Sequence, residues 1–120
     1  LNIFNHILNL KTKIDILGIA HITGGGITEN LPRILPSHTY AKIYKNSWTW
    51  PEIFNWLQNQ GNISEQEMFK TFNCGVGMLL CVPSHQTDNA LKYLKDLGEN
   101  AWQIGEIQKQ EEEMPLVIYS

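Results

Sequence analysis

This sequence predicts an α+β fold, a mixed β-sheet with helices packed on both faces. Three observations carry that reading. Helical and strand-like apolar patterns alternate irregularly along the chain. Several connections are too short to hold a crossover helix, which disfavours a doubly wound parallel sheet. The stretch from Asn73 to Val82 is apolar on both faces, as expected of a central strand covered on two sides.

The elements follow in order. Leu1, Ile3, Phe4, Ile7, Leu8 and Leu10 have helical spacing and predict an amphipathic helix over residues 1–12. Ile14, Ile16, Leu17, Ile19 and Ala20 form a short, β-branched run that reads as a strand. Thr23-Gly24-Gly25-Gly26 breaks it. Ile27, Leu31, Ile34 and Leu35 resume helical spacing until Pro36. Residues 39–44 alternate as a strand. Thr49 with Glu52 fits a capping box, and Pro51 suits a first turn, so a helix runs through Ile53, Phe54 and Leu57 to before Gly61. Ser64 with Glu67 is a second capping box, opening a helix that carries Met68 and Phe69.

In the predicted strand over residues 73–82, Cys74, Val76, Met78, Leu80 and Val82 share one face. Gly75 and Gly77 leave part of the other face bare, which suits a close backbone approach or a ligand. Ala90, Leu91, Leu94 and Leu97 predict a helix ended by Gly98. Residues 101–107 and 115–119 read as two last strands, joined by a charged turn over 108–113.

Length and composition set the bounds. The 120 residues fit a single domain, residues 1–120. With 42% hydrophobic residues the chain can build a core, and 18% charged residues is low for a disordered segment. A net charge of −3, with Arg33 as the one arginine, gives no electrostatic case for a nucleic-acid partner. No apolar run approaches the roughly 18 residues of a membrane-spanning helix. The chain opens without the basic start and small-residue cleavage site of a signal peptide. Cys74 and Cys81 match neither zinc nor CxxC spacing and read as reduced, buried thiols, consistent with a cytoplasmic protein.

The sharpest local feature is His21-Ile22-Thr23-Gly24-Gly25-Gly26-Ile27-Thr28-Glu29-Asn30. A strand ends, three glycines turn, and a helix begins. Such a turn directs backbone N–H groups and a helix dipole at one spot, and glycines let an anion come close. Arg33 stands near the other end of the helix. The same spacing also fits a tight turn with no ligand, and no Gly-Lys-Ser/Thr follows to make it a Walker A loop. His21 is a candidate acid or base, and equally a structural histidine. His6, His38 and His85 lack metal-ligand spacing. A Cys74–His21 nucleophile pair has no support in the spacing.

HITGGGITENLPRILP (His21 to Pro36) resembles the C-terminal-domain signature of the phosphoribosylformylglycinamidine cyclo-ligase family, also called AIR synthetase. SWTWPEIFNWLQNQGNISEQEMFKTFNCGVGMLLCVP (Ser47 to Pro83) and GENAWQIGEI (Gly98 to Ile107) resemble later segments of that family, especially its bacterial branch. The likeness runs in unbroken order from about Lys13 to the end. It implies a C-terminal domain with a mixed, partly ferredoxin-like sheet. It further implies ATP-driven closure of the imidazole ring of formylglycinamidine ribonucleotide to aminoimidazole ribonucleotide, with Mg as the metal.

By the same resemblance Thr23, Gly24, Gly25, Gly26 and Asn30, with Arg33 nearby, would bind a phosphate of substrate or nucleotide. Asn73, Gly75 and Gly77 would line the cleft as packing or as ligand contacts. His21 is the weak catalytic candidate, and no metal ligands fall in this chain. The family's N-terminal ATP-binding and dimerisation domain is absent from the 120 residues, so the chain alone is expected to be inactive. That domain is an implied partner, and the parent enzyme is expected to be a homodimer. Two alternatives stay open. One is a sister enzyme of the selenophosphate synthetase, thiamine-phosphate kinase or hydrogenase maturation type. The other is a non-enzymatic anion-binding domain.

Overall fold

The computed structural model describes residues 3–120 and has the expected α+β class. Its helices are α1 (Ile3–Lys11), α2 (Gly26–Asn30), α3 (Glu52–Gly61), α4 (Glu65–Thr71) and α5 (Thr87–Asp96). Its strands are β1 (Gly18–His21), β2 (Thr39–Ile43), β3 (Met78–Cys81), β4 (Gly105–Lys109) and β5 (Val117–Tyr119). Leu1, where the expected first helix began, lies outside the described residues.

Two sheets form where one was expected. β1 pairs with β3, and β2 lies between β4 and β5. The second sheet is mixed. β2 runs antiparallel to β4, with Ala41 opposite Ile107, and parallel to β5, with Ala41 opposite Val117. β3 is therefore not the central strand expected of Asn73 to Val82. Cys74 (φ 52°) and Gly75 (φ 96°) adopt left-handed conformations that end any ladder, and the Val76 N–H bond to the Asn73 carbonyl makes residues 73–76 a turn. The burial of Cys74 and Val76, which read as one strand face, is the burial of that turn.

The chain divides into two compact units. One comprises the residues up to Ile19 with Leu80–Gln103, and the other comprises Ala20–Leu79 with Ile104–Ser120. The core of the first is Leu10 of α1 and Ile14 just beyond it with Ala90 and Leu94 of α5. Helix α5 stops as its sequence requires. Gly98 (φ 87°) donates to the Lys95 carbonyl, and the Glu99 N–H reaches back to the Leu94 carbonyl at 2.9 Å. These are the two bonds of a Schellman ending, which glycine adopts without a Cβ penalty. Beyond it, the Glu99 carboxylate meets His6 Nδ1 of α1 at 2.6 Å.

The core of the second unit is aromatic. Met68, Phe69 and Cys74 are buried among Trp48, Trp50, Phe54, Ile63, Phe72 and Tyr119. Phe69 is the hub. Its ring stacks on Tyr119 at 4.1 Å and 12°, and meets Trp50 edge-to-face at 5.5 Å and 90°. Such pairs contribute about 0.5–1.5 kcal/mol each beyond their burial. They fix α4 against the mixed sheet, because Tyr119 belongs to β5.

The two predicted capping boxes separate. Ser64 Oγ accepts from the Glu67 N–H at 3.1 Å, so the second box caps α4. The first does not form. Helix α3 begins at Glu52 with Pro51 at its cap position and no side-chain cap bond, which leaves Thr49 outside reach. Helix α3 also includes Gly61, and Asn62 (φ 49°) makes the left-handed turn beyond it. A paired test follows. Ser64→Ala should lower unfolding stability by about 0.5–2 kcal/mol in urea. Thr49→Ala should stay within about 0.5 kcal/mol of the parent, as surface changes do.

Candidate functional site

The glycine turn is organised from below by one side chain. Asn30, at the end of α2, is 3% exposed and is the one buried polar side chain among the described residues. Its amide Nδ2 donates toward three carbonyls of the turn: Gly26 at 2.8 Å, Gly24 at 3.2 Å and Thr23 at 3.3 Å. Thr23 Oγ1 in turn donates to Asn30 Oδ1 at 3.4 Å. A peptide plane points its C=O and N–H in opposite directions. Turning the carbonyls of Thr23 and Gly24 toward Asn30 therefore turns the N–H groups of Gly24 and Gly25 away from it. Gly24 is exposed and Gly25 half-buried, so those donors face the accessible side.

Each glycine has its own reason. Gly25 (φ 95°) and Gly26 (φ 63°) are left-handed. A Cβ on Gly26 would collide with the backbone carbonyls of Phe69 and Phe72, so this residue lets α2 dock on the end of α4. A Cβ on Gly25 would meet only the side chain of Glu29. Gly24 has nothing within 4 Å of a Cβ position and no left-handed φ. Neither packing nor backbone strain accounts for glycine at that position.

The second glycine turn lies beside the first. The Ile22 N–H donates to the Gly77 carbonyl at 2.9 Å, and Gly26 abuts Phe72, the residue before Asn73. Asn73 Oδ1 accepts from the Gly75 N–H at 2.8 Å, and the Trp48 indole N–H donates to the Cys74 carbonyl at 2.9 Å. A Cβ on Gly75 would stand 2.5 Å from Pro51 Cδ, so Gly75 serves close packing. Gly77 is exposed, with nothing within 4 Å of its Cβ position.

The structure thus brings Thr23, Gly24, Gly25, Gly26 and Asn30 together and sets Asn73, Gly75 and Gly77 alongside. His21 is exposed at the end of β1. Arg33 is exposed on the 3₁₀ turn Leu31–Ile34 that follows α2, with no bond to the glycine turn among the described residues. The sequence reading missed the supports, Trp48, Pro51 and the Thr28–Tyr119 hydroxyl pair at 2.8 Å. Burial pushes the Tyr119 phenol up to about 12, so it stays neutral and available for that bond. No local pattern marks such long-range partners.

Cys74 is not a nucleophile. It is fully buried, its Sγ is directed at the Met68 carbonyl, and burial pushes its thiol up to about 11. No three His, Cys, Asp or Glu residues lie together as a metal site among the described residues. No helix among them is long and apolar enough to cross a membrane.

A family model described as AIR synthase related protein, C-terminal domain, matches residues 2–117. The match spans both compact units and both glycine turns.

Two outcomes test this geometry. Asn30→Asp keeps the shape but replaces the donor amide with an acceptor facing three carbonyls. It should cost about 1–3 kcal/mol in stability, the penalty for buried groups left unsatisfied. Cys74 should resist thiol reagents at neutral pH until the chain is unfolded, as timed labelling with and without denaturant would show.

Proposed function

The chain belongs to the AIR synthase related family, as its C-terminal domain, and from that premise we propose that it serves an ATP-dependent cyclo-ligase. The reaction would close formylglycinamidine ribonucleotide to aminoimidazole ribonucleotide, giving ADP and phosphate. Members of this family use ATP. The observation that carries the finer reading is HITGGGITENLPRILP together with FNCGVGM, two cyclo-ligase-like stretches whose glycine turns lie side by side.

In this reading the outward N–H groups of Gly24 and Gly25 hold a phosphate of the substrate or nucleotide. Thr23 rims the cradle and Asn30 holds its shape. Arg33 stands in reserve on the following turn, and a charge-assisted bond from it would contribute about 1.5–3 kcal/mol. His21, exposed two residues before Thr23, is the candidate to carry a proton. Mg does not fit this chain's described residues, which offer no cluster of ligands, so no step is assigned to it here. The residues that position a metal and the bulk of ATP belong to a partner domain. A sister enzyme of the selenophosphate synthetase, thiamine-phosphate kinase or hydrogenase maturation type remains the competing reading.

The chain alone should bind phosphate or ATP only at millimolar concentration. A helix N-terminus gives an anion about 0.3–1 kcal/mol, and a few kcal/mol in all corresponds to that range. Phosphate release should be absent for the chain alone. It should appear with the amidine substrate when a cyclo-ligase N-terminal domain is supplied. Gly24→Ala should leave folding unchanged and cut phosphate affinity at least tenfold. Turnover with selenide or thiamine phosphate instead would transfer the chain to a sister activity. Unchanged affinity in Gly24→Ala would make the turn purely structural.

A further inference from the structure

Glu29 is the acidic residue of α2, and holding a phosphate on the glycine turn leaves it without a task. It follows Gly25 by four residues, so the two share one side of the helix, and helical side chains lean toward the N-terminus. The Glu29 N–H donates to the Gly25 carbonyl at 3.2 Å, and the side chain folds back over the same glycine. Its carboxyl carbon stands 3.0 Å from the place a Gly25 Cβ would take, and Oε2 lies closer still. The missing side chain of Gly25 is what makes room for this carboxylate. No ion pair draws it there: among the described residues the ion pairs join His6 to Glu99 and Lys45 to Glu65.

Glu29 and its neighbour Asn30 take opposite sides of the turn. Asn30 is buried and collects the carbonyls of Thr23, Gly24 and Gly26. Glu29 is exposed, on the accessible side to which the Gly24 and Gly25 N–H groups are turned. That side therefore offers two kinds of group. A backbone N–H only donates, and a carboxylate only accepts. A bare phosphate satisfies the first group and meets like charge from the second. A ligand that joins a phosphate to a hydroxyl donor satisfies both.

Building on the phosphate reading above, we propose that Glu29 makes this turn selective for a phosphorylated polyol, the chemistry of a sugar phosphate. The N–H groups of Gly24 and Gly25 hold the phosphate, and a hydroxyl of the same molecule donates to the Glu29 carboxylate. Glu29 is then a specificity residue. Its charge weakens the binding of a phosphate that brings no donor. Its oxygens strengthen the binding of one that does, because hydrogen bonds to an ionised acceptor are the stronger kind.

Titration of the nitrogen-15-labelled chain with ribose 5-phosphate and with methyl phosphate, in chelator and at constant ionic strength, tests this. Both probes are phosphate monoesters, and only the sugar carries hydroxyl donors. Ribose 5-phosphate should bind the parent chain about tenfold more tightly, the effect of one hydrogen bond to a charged group. Both probes should shift the Gly24 and Gly25 amides. Glu29→Ala removes acceptor and charge together. It should bring the two affinities together, by weakening ribose 5-phosphate and tightening methyl phosphate, with the circular dichroism unchanged. Glu29→Gln keeps an oxygen acceptor without the charge and should retain part of the preference.

Equal affinities in the parent chain would overturn the proposal, as would a preference that survives Glu29→Ala. Either result leaves the phosphate reading standing as long as the Gly24 and Gly25 amides shift. Phosphoethanolamine, which offers an ammonium in place of hydroxyls, should bind the parent chain less tightly than ribose 5-phosphate. Equal or tighter binding would overturn the proposal by showing that Glu29 recognises a cation. Gly24 and Gly25 amides unmoved by every probe would remove the phosphate reading itself, and the proposal with it.

Discussion

The side-chain amide of Asn30 is the contact on which the candidate site depends. A tight glycine turn has many backbone conformations open to it. Asn30 selects among them by drawing the carbonyls of Thr23, Gly24 and Gly26 inward. A buried amide left unpaired would cost about 1–3 kcal/mol, so the bonds that satisfy Asn30 also hold the turn. The orientation of the Gly24 and Gly25 N–H groups is a by-product of satisfying one buried residue.

That clamp needs a fixed base. Helix α2 is only five residues long and would not persist alone. It holds because Gly26 sits against the carbonyls of Phe69 and Phe72, and because Thr28 bonds Tyr119. Phe69 and Tyr119 are themselves stacked, so turn, helix α4 and strand β5 share one aromatic cluster. The second glycine turn joins the same cluster through buried Cys74 and the Trp48 indole. The two segments that most resemble a known enzyme family are therefore parts of one packed structure.

The sequence made some of this legible and concealed the rest for physical reasons. Apolar spacing located α1, α3, α4 and α5, because helix periodicity is a local property. Ser64 was readable as a cap because the box closes within four residues. Thr49 showed the same letters, but the backbone at Pro51 starts its helix too late. The strand over 73–82 misled because alternation in a buried turn looks like alternation in a strand. The left-handed φ of Cys74 and Gly75 distinguishes them, and a cysteine gives no warning of it. The glycine turn and Asn30 were visible as residues. That Asn30 holds the turn was not, since it depends on where the end of α2 falls. Splitting one expected sheet into two reflects strand pairings set by contacts far apart in sequence.

The central claim is that a turn shaped by Asn30 presents donors to a phosphate. An NMR titration of the nitrogen-15-labelled chain with inorganic phosphate at constant ionic strength tests it most directly. The account predicts saturable shifts in the amides of Gly24 and Gly25, with the Asn30 side-chain amide remaining in its buried environment. Shifts spread evenly over surface lysines, with Gly24 and Gly25 unmoved, would contradict it.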